Sequence, residues 1–129
     1  MKRPVMKNIH SLVVKVGTSI LTEKGRFDKS LITKLATELA PLLKKGMQVS
    51  IVSSGAIGAG MTLLKEKERP KTMEGLQAAA AVGQRYLMQC YEEAFSRHGF
   101  STAQVLLTWD DMANSKRFMN AKRALGEIQ

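Results

Sequence analysis

The hydrophobic pattern alternates between short apolar runs and longer stretches of helical period. Residues 11–16 (SLVVKV) and 47–52 (MQVSIV) are short and rich in β-branched residues, which is typical of buried strands. Between them, apolar residues recur at helical spacing from Asp28, a candidate cap, to about Lys45. Gly46 then provides a natural end for this first helix.

The second half of the chain continues this alternation. Thr72 is a candidate cap for a long helix, and residues 102–107 predict a third strand. The predicted core positions of the long helix are Leu76, Ala80, Leu87, Tyr91 and Phe95. Thr108 and Asp111 fit a capping box that precedes a last helix. Strands that alternate with helices predict an α/β fold with a parallel sheet, in which ligands bind beyond the carboxyl ends of the strands.

Composition places the chain among ordinary globular proteins. It has 129 residues, of which 44% are hydrophobic and 24% charged, and this suits one domain. No apolar run approaches the roughly 20 residues that span a bilayer, and the basic start lacks a signal-peptide core. The single cysteine, Cys90, is interpreted as a buried thiol. We therefore expect a cytoplasmic protein without membrane contact.

The formal net charge of +9 changes this picture little. Lysines and arginines are scattered, and the seven aromatic residues are not interleaved with them as base stacking would require. Nucleic-acid binding is therefore not expected for this chain. Most of the charge fits solvated helix faces, and a positive field could also help to collect small anions.

Lys15 is the first candidate for chemistry. A lysine within an apolar strand is costly to bury without a partner. Near the end of the strand it can either extend its amine into solvent or direct it at a phosphate. The residues that follow, Gly17, Thr18 and Ser19, favour the phosphate, because glycine admits an anion close to the backbone and hydroxyls donate hydrogen bonds.

The second candidate is the glycine-rich segment SSGAIGAG, residues 53–60, which follows a strand and begins a helix. Backbone amides at a helix N-terminus, together with the helix dipole, attract anions. The segment is neither a P-loop nor a dinucleotide-binding fingerprint. Gly58 and Gly60 are interpreted as close packing of the helix on the sheet. Ser54 and Gly55 remain as candidates for ligand binding.

Four motifs in this order and spacing resemble glutamate 5-kinases, within the wider amino-acid kinase family. They are VVKVGTSILT (residues 13–22), IVSSGAIGAG (51–60), QAAAAVGQRYLMQCY (77–91) and QVLLTWDDM (104–112), and RFMNAK (117–122) continues the match. The first motif is typical of the whole family. The second and third are more specific and argue against acetylglutamate kinase, uridylate kinase and aspartokinase.

This resemblance implies a three-layer α/β/α sandwich around a mainly parallel sheet, and transfer of the ATP γ-phosphoryl group to L-glutamate with Mg²⁺. The product, glutamyl 5-phosphate, begins proline synthesis. Lys15 matches the family lysine that contacts ATP phosphate, and Gly17 matches the glycine beside the phosphates. Ser54 matches the serine that contacts glutamate, and Gly55 and Ala56 match the turn next to it. No residue of this chain is expected to ligate the metal directly.

Three predicted strands make a narrow sheet. We therefore expect residues 1–129 to be the N-terminal, glutamate-binding portion of an amino-acid kinase domain, without the nucleotide-binding half or any PUA domain. By itself the chain is expected to be inactive, whereas the full-length enzyme is expected to be a homo-oligomer. The alternatives are another phosphotransferase of the same fold and a non-catalytic, truncated α/β module.

Overall fold

The computed structural model describes residues 8–23 and 26–129. Helices dominate it, and the strands lie in its first half. In chain order the elements are β1 (Ser11–Val16), β2 (Thr22–Glu23), β3 (Arg26–Phe27), α1 (Ser30–Lys44), β4 (Gln48–Ser53), α2 (Ala56–Leu64), α3 (Met73–Ser96), α4 (Trp109–Ala113) and α5 (Ser115–Ile128).

The main sheet pairs β1 with β4 in parallel, and β2 and β3 form a small antiparallel hairpin. The crossover between β1 and β4 contains α1, as parallel pairing requires. The predicted α/β class with a parallel sheet is confirmed, and the first strand has the predicted bounds. The hairpin was not predicted, because residues 17–27 carry the glycines and polar residues of a loop.

The hydrophobic core lies between one face of this sheet and the helices α1 and α3. Alternation along β1 turns Leu12, Val14 and Val16 to that face. The opposite face carries Val13, which is 66% exposed, and Val52, which is 55% exposed. The same strand therefore has one packed side and one side open to solvent.

Residues 102–107 were predicted as a third strand, and this prediction is wrong for the described structure. The segment has no regular secondary structure, and residues 103–107 make no backbone-to-backbone hydrogen bond within the described part of the chain. The amide of Thr102 donates instead to the Glu92 carboxylate at 2.9 Å. Apolar residues favour a strand only where a neighbouring backbone can pair with it and cover their side chains, and here Leu106 is 74% exposed.

The predicted caps at Thr72 and Thr108 agree with the structure, whereas the N-cap residue of α1 is Lys29, without a side-chain cap hydrogen bond, and not the predicted Asp28. The Thr72 hydroxyl accepts from the Gly75 amide at 3.2 Å, and Thr108 with Asp111 forms the capping box. Asp28 accepts from the amide and the hydroxyl of Ser30, both at 2.8 Å, at the beginning of α1.

Over residues 8–23 and 26–129, no helix combines the length and apolar character needed to cross a membrane.

Candidate active site

The carboxyl ends of β1 and β4 lie side by side. In the strand register Lys15 pairs with Val52, and Val16 pairs with Ser53. A backbone hydrogen bond continues the pairing beyond β4, because the amide of Ser54 donates to the carbonyl oxygen of Val16 at 2.9 Å. The loop after β1 and the turn after β4 therefore lie together at the carboxyl ends of the strands. Parallel sheets bind their ligands at this end.

The loop after β1 folds into two successive turns. The amide of Ile20 donates to the carbonyl of Gly17, and the amide of Leu21 donates to the carbonyl of Thr18, both at 3.1 Å. These turns direct the Leu21 side chain inward, where it is only 1% exposed. A single apolar anchor thus holds the loop against the core.

Gly55 packs directly on that anchor. Its φ of 107° lies in the left-handed region that favours glycine. A Cβ at this position would also lie 3.0 Å from Leu21 Cδ1, tighter than an ordinary van der Waals contact. The backbone conformation therefore favours glycine at position 55, and any Cβ there would also require the Leu21 side chain to shift by a few tenths of an ångström. The contact also fixes the turn after β4 relative to the loop after β1.

The N-terminus of α2 carries no side-chain cap. Gly55 is its N-cap residue and contributes only its carbonyl, which accepts from the amide of Ala59 at 2.9 Å. Within residues 8–23 and 26–129, the amides of Gly55 and Ala56 have no protein acceptor. Such amides, together with the helix dipole, create a positive potential at the beginning of the helix. This end of α2 can therefore bind an anion.

Helix α3 holds this end of α2 in place through contacts between backbones. A Cβ at Gly83 would overlap the carbonyl oxygen of Ala56, and a Cβ at Gly60 would overlap the carbonyl oxygen of Ala79. Only glycine allows two helices to approach so closely. The beginning of α2 is therefore fixed by the helix that packs beside it.

These contacts correct the interpretation of the two glycines within α2. The prediction that Gly60 packs on the sheet is wrong, because its close neighbour is another helix. At Gly58, the nearest neighbour of an added Cβ would be Thr22 Cγ2 at 3.5 Å, which belongs to the small hairpin and not to the main sheet. That distance is an ordinary van der Waals contact, so space alone does not require glycine at position 58.

Lys15 is exposed and shares the open face of the sheet with Val13. The cost of burying its charge therefore does not arise. Among the described residues, the one ion pair joins Arg117 to Asp111 at 3.7 Å, so no described carboxylate neutralises the Lys15 amine. Its long side chain can carry the amine toward the end of the strand. The lysine is thus available to a bound anion.

Tyr91 contacts the last residue of β4 and was predicted only as a core position. Its hydroxyl donates to Ser53 Oγ at 2.9 Å, and Ser53 Oγ donates to the carbonyl oxygen of Ser54 at 3.0 Å. Burial raises the pKa of Tyr91, while the hydrogen bond to Ser53 opposes that rise. A buried tyrosine hydroxyl needs a polar partner, and this requirement was the signal in the sequence.

The carboxylates of the described residues do not form a metal site. No group of three or more histidine, cysteine, aspartate or glutamate side chains lies together there. Asp111 instead caps α4, accepting from the amide and the hydroxyl of Thr108 at 2.7 and 2.8 Å. Hydrogen bonds from the Thr108 amide and then its hydroxyl lower the pKa of Asp111. Of the two adjacent aspartates, Asp111 therefore serves to cap the helix.

Comparison with known proteins agrees with the motifs. A sequence model of the amino acid kinase family matches residues 11–128. The chain is 48% identical to a glutamate 5-kinase of Chromohalobacter salexigens, over 98% of this chain and 34% of the relative. It is 49% identical to one of Aromatoleum aromaticum, over 95% of this chain and 33% of the relative. For a Geobacter glutamate 5-kinase the identity is 47%, over 99% and 35%.

The chain thus spans about a third of the length of the curated relatives it matches. The predicted resemblance to glutamate 5-kinases is confirmed. The family match runs from the first residue of β1 to the last residue of α5, and so includes both loops at the carboxyl ends of the strands. The parallel sheet with its glycine-rich turns and the match over residues 11–128 lead to one assignment: this chain belongs to the amino acid kinase family.

Proposed function

We propose that the protein containing this chain transfers the γ-phosphoryl group of ATP to the side-chain carboxylate of L-glutamate, the first step of proline synthesis. The observation that carries the proposal is the uncapped N-terminus of α2 beside the end of β1. The names of the relatives supply the substrate, since each is a glutamate 5-kinase. Residues 1–129 would form the N-terminal, glutamate-binding portion of the kinase domain.

The glutamate carboxylate would bind at the turn after β4. Ser54 would donate through its hydroxyl, and the amides of Gly55 and Ala56 would donate from the beginning of α2. Two features support this assignment: these amides have no acceptor in the described part of the chain, and the left-handed Gly55 leaves no side chain over them. A carboxylate is already a nucleophile at neutral pH, so no general base is needed.

The ATP phosphates would lie beside the loop after β1. Gly17 leaves room for their close approach, since a Cβ built there has nothing within 4 Å. Lys15 would offset negative charge on the transferred group, and no described carboxylate competes for its amine. Transfer between two anions depends on positioning and charge neutralisation, which these groups supply.

Mg²⁺ would supply further charge neutralisation on the phosphates. The described residues offer it no cluster of acidic or histidine ligands. Phosphate oxygens and water would therefore hold the ion, as is usual for magnesium with nucleotide substrates. The chain's own contribution is the positive end of α2 and the Lys15 amine. We further propose that the reaction takes place in the cytoplasm, which suits a single cysteine that is buried and unpaired.

The proposal is tested by steady-state kinetics of the complete enzyme that contains this chain. Lys15→Ala should lower kcat roughly a hundredfold, because it removes charge stabilisation in the transition state. Ser54→Ala should raise KM for glutamate roughly ten- to a hundredfold, because it removes one hydrogen bond to a charged carboxylate. Lys44→Ala and Ser96→Ala, at the ends of α1 and α3, are the matched controls.

Unchanged kinetics in both site variants would remove the assignment of these residues. A panel of other carboxylate and phosphate acceptors separates glutamate kinase activity from a different phosphotransferase of the same fold. By itself, the 129-residue chain should release no ADP above background from ATP, glutamate and Mg²⁺. Turnover comparable to that of the complete enzyme would contradict this last expectation.

A further inference from the structure

Tyr91 lies in the core of α3, yet its hydroxyl reaches the strand that leads into the glycine-rich turn. The residue is 4% exposed. Its hydroxyl contacts Ser53 Oγ at 2.9 Å, and Ser53 Oγ contacts the Ser54 carbonyl oxygen at 3.0 Å. Two hydroxyl groups therefore connect the interior of the molecule to the peptide bond between Ser54 and Gly55.

The direction of these hydrogen bonds follows from the chemistry of the last group. A carbonyl oxygen only accepts, so the Ser53 hydroxyl must donate its one hydrogen to Ser54. Since Ser53 has then used its hydrogen, the Tyr91 hydroxyl must donate to Ser53. The chain of donors therefore begins at Tyr91, and no other arrangement of hydrogens satisfies both contacts.

This chain fixes the orientation of one peptide plane. In a trans peptide the carbonyl and the following N–H point in opposite directions. With the Ser54 carbonyl held by Ser53, the Gly55 amide must point away from the Ser53 hydroxyl. Glycine accepts positive and negative φ almost equally, so the residue at position 55 does not by itself prevent rotation of this plane. The hydrogen bond from Ser53 to the Ser54 carbonyl is therefore one contact that can hold this plane at the observed φ of 107°.

We propose that Tyr91 is a positioning residue that, through Ser53, aims the Gly55 amide at the bound carboxylate. The inference rests on the proposed function for the identity of the anion. The orientation of the peptide plane can be tested without any ligand. Tyr91 acts at a distance, because its hydroxyl contacts Ser53 and not the Gly55 amide.

The test uses two NMR measurements on the isotope-labelled complete enzyme that contains this chain. Without ligand, Tyr91→Phe should shift the Ser54 carbonyl carbon and the Gly55 amide, since the Ser53 hydroxyl that donates to this carbonyl loses the Tyr91 hydrogen bond that orients it. With L-glutamate as the titrant, the same variant should bind roughly three- to tenfold more weakly, as expected for one neutral hydrogen bond. Tyr86→Phe is the matched control, because Tyr86 is the other tyrosine of the chain and also lies on α3.

Ser53→Ala provides a second variant that leaves the core packing of Tyr91 intact. It should reproduce both effects, and the double variant should lose no more than either single variant, because both act through one path. Unchanged Ser54 and Gly55 signals in Ser53→Ala would overturn the role of Tyr91. The same holds if the double variant loses the product of the two single effects.

The titration also separates this inference from the proposed function. If glutamate shifts no signal at Ser54–Ala56 in the unsubstituted enzyme, glutamate binding at this turn is wrong, and the positioning role for that ligand falls with it. If glutamate shifts these signals equally, with equal affinity, in the unsubstituted enzyme and in Tyr91→Phe, the turn binds glutamate but Tyr91 does not position it.

Discussion

Helices α3 and α5 have similar local signals and very different surroundings. Each begins with a side-chain cap, Thr72 for α3 and Asn114 for α5. Helix α3 nevertheless buries seven of its 24 residues, whereas α5 has 14 residues and buries none. Capping and periodicity therefore specify where a helix forms, while the contribution of that helix to stability depends on what packs beside it.

The neighbours of the two helices explain the difference. Helix α3 packs against α1 and α2 and supplies Leu87, Tyr91 and Phe95 to the core. Gln129, the residue that follows α5, contacts the sheet through a hydrogen bond in which its Nε2 donates to Ser50 Oγ at 2.7 Å. That contact lies on the open face, where Val52 is 55% exposed. Helix α5 therefore buries little apolar surface.

The largest expected effect comes from shortening one leucine on each helix. Leu87→Ala on α3 should lower the free energy of unfolding by about 2–5 kcal/mol, because Leu87 is 2% exposed and its loss leaves a cavity. Leu125→Ala on α5 should cost less than about 1 kcal/mol, since that side chain is only half-buried. Urea denaturation followed by circular dichroism measures both. Equal losses would show that α5 is packed as tightly as α3.

Replacing one glycine on each helix with alanine should have smaller effects on stability, and the two effects should have opposite signs. Gly83→Ala on α3 should destabilise the protein by about 1–3 kcal/mol, because the new methyl group would overlap the Ala56 carbonyl and push α2 away. Gly126→Ala on α5 has nothing within 4 Å of the new Cβ and should stabilise that helix by up to about 1 kcal/mol. Thermal unfolding of the two variants gives the signs directly. Destabilisation by Gly126→Ala would mean that α5 has a close neighbour.

The smallest effect is a pH dependence confined to the region that leads into α5. Hydrogen bonds from Thr108 hold the pKa of Asp111 below its ordinary value of 3.8. A lowered carboxyl pKa stabilises the cap above that ordinary value, and this stabilisation is lost as the pH falls through the lowered pKa. The NMR signal of the Thr108 amide should report the loss. Asp111→Asn should abolish this transition and Asp110→Asn should keep it; persistence in Asp111→Asn would contradict the assignment.

Much of the fold could be predicted because local physics determines it. The bounds of β1, the cap at Thr72 and the capping box at Thr108 each depend on residues adjacent in sequence. The edge that carries Lys15 and the Gly55 turn could also be predicted, since parallel strands place their carboxyl ends together.

The features that could not be predicted depend on contacts between distant segments. Residues 102–107 have the composition of a strand, but pairing requires a second backbone that the composition cannot reveal. The overlap that a Cβ at Gly83 would make with Ala56, and the contact of Tyr91 with Ser53 across 38 positions, arise only when α3 crosses the sheet. The proximity of the two loops could thus be predicted, whereas the residues that support them could not.

Cys90 gives the core of α3 a built-in chemical reporter. It is the only cysteine of the chain and is 4% exposed, and burial raises the pKa of its thiol. Alkylating reagents attack thiolates, so reaction requires the helix to move away from its neighbours first. The rate of alkylation therefore reports how often the interior opens transiently, and no foreign label is needed.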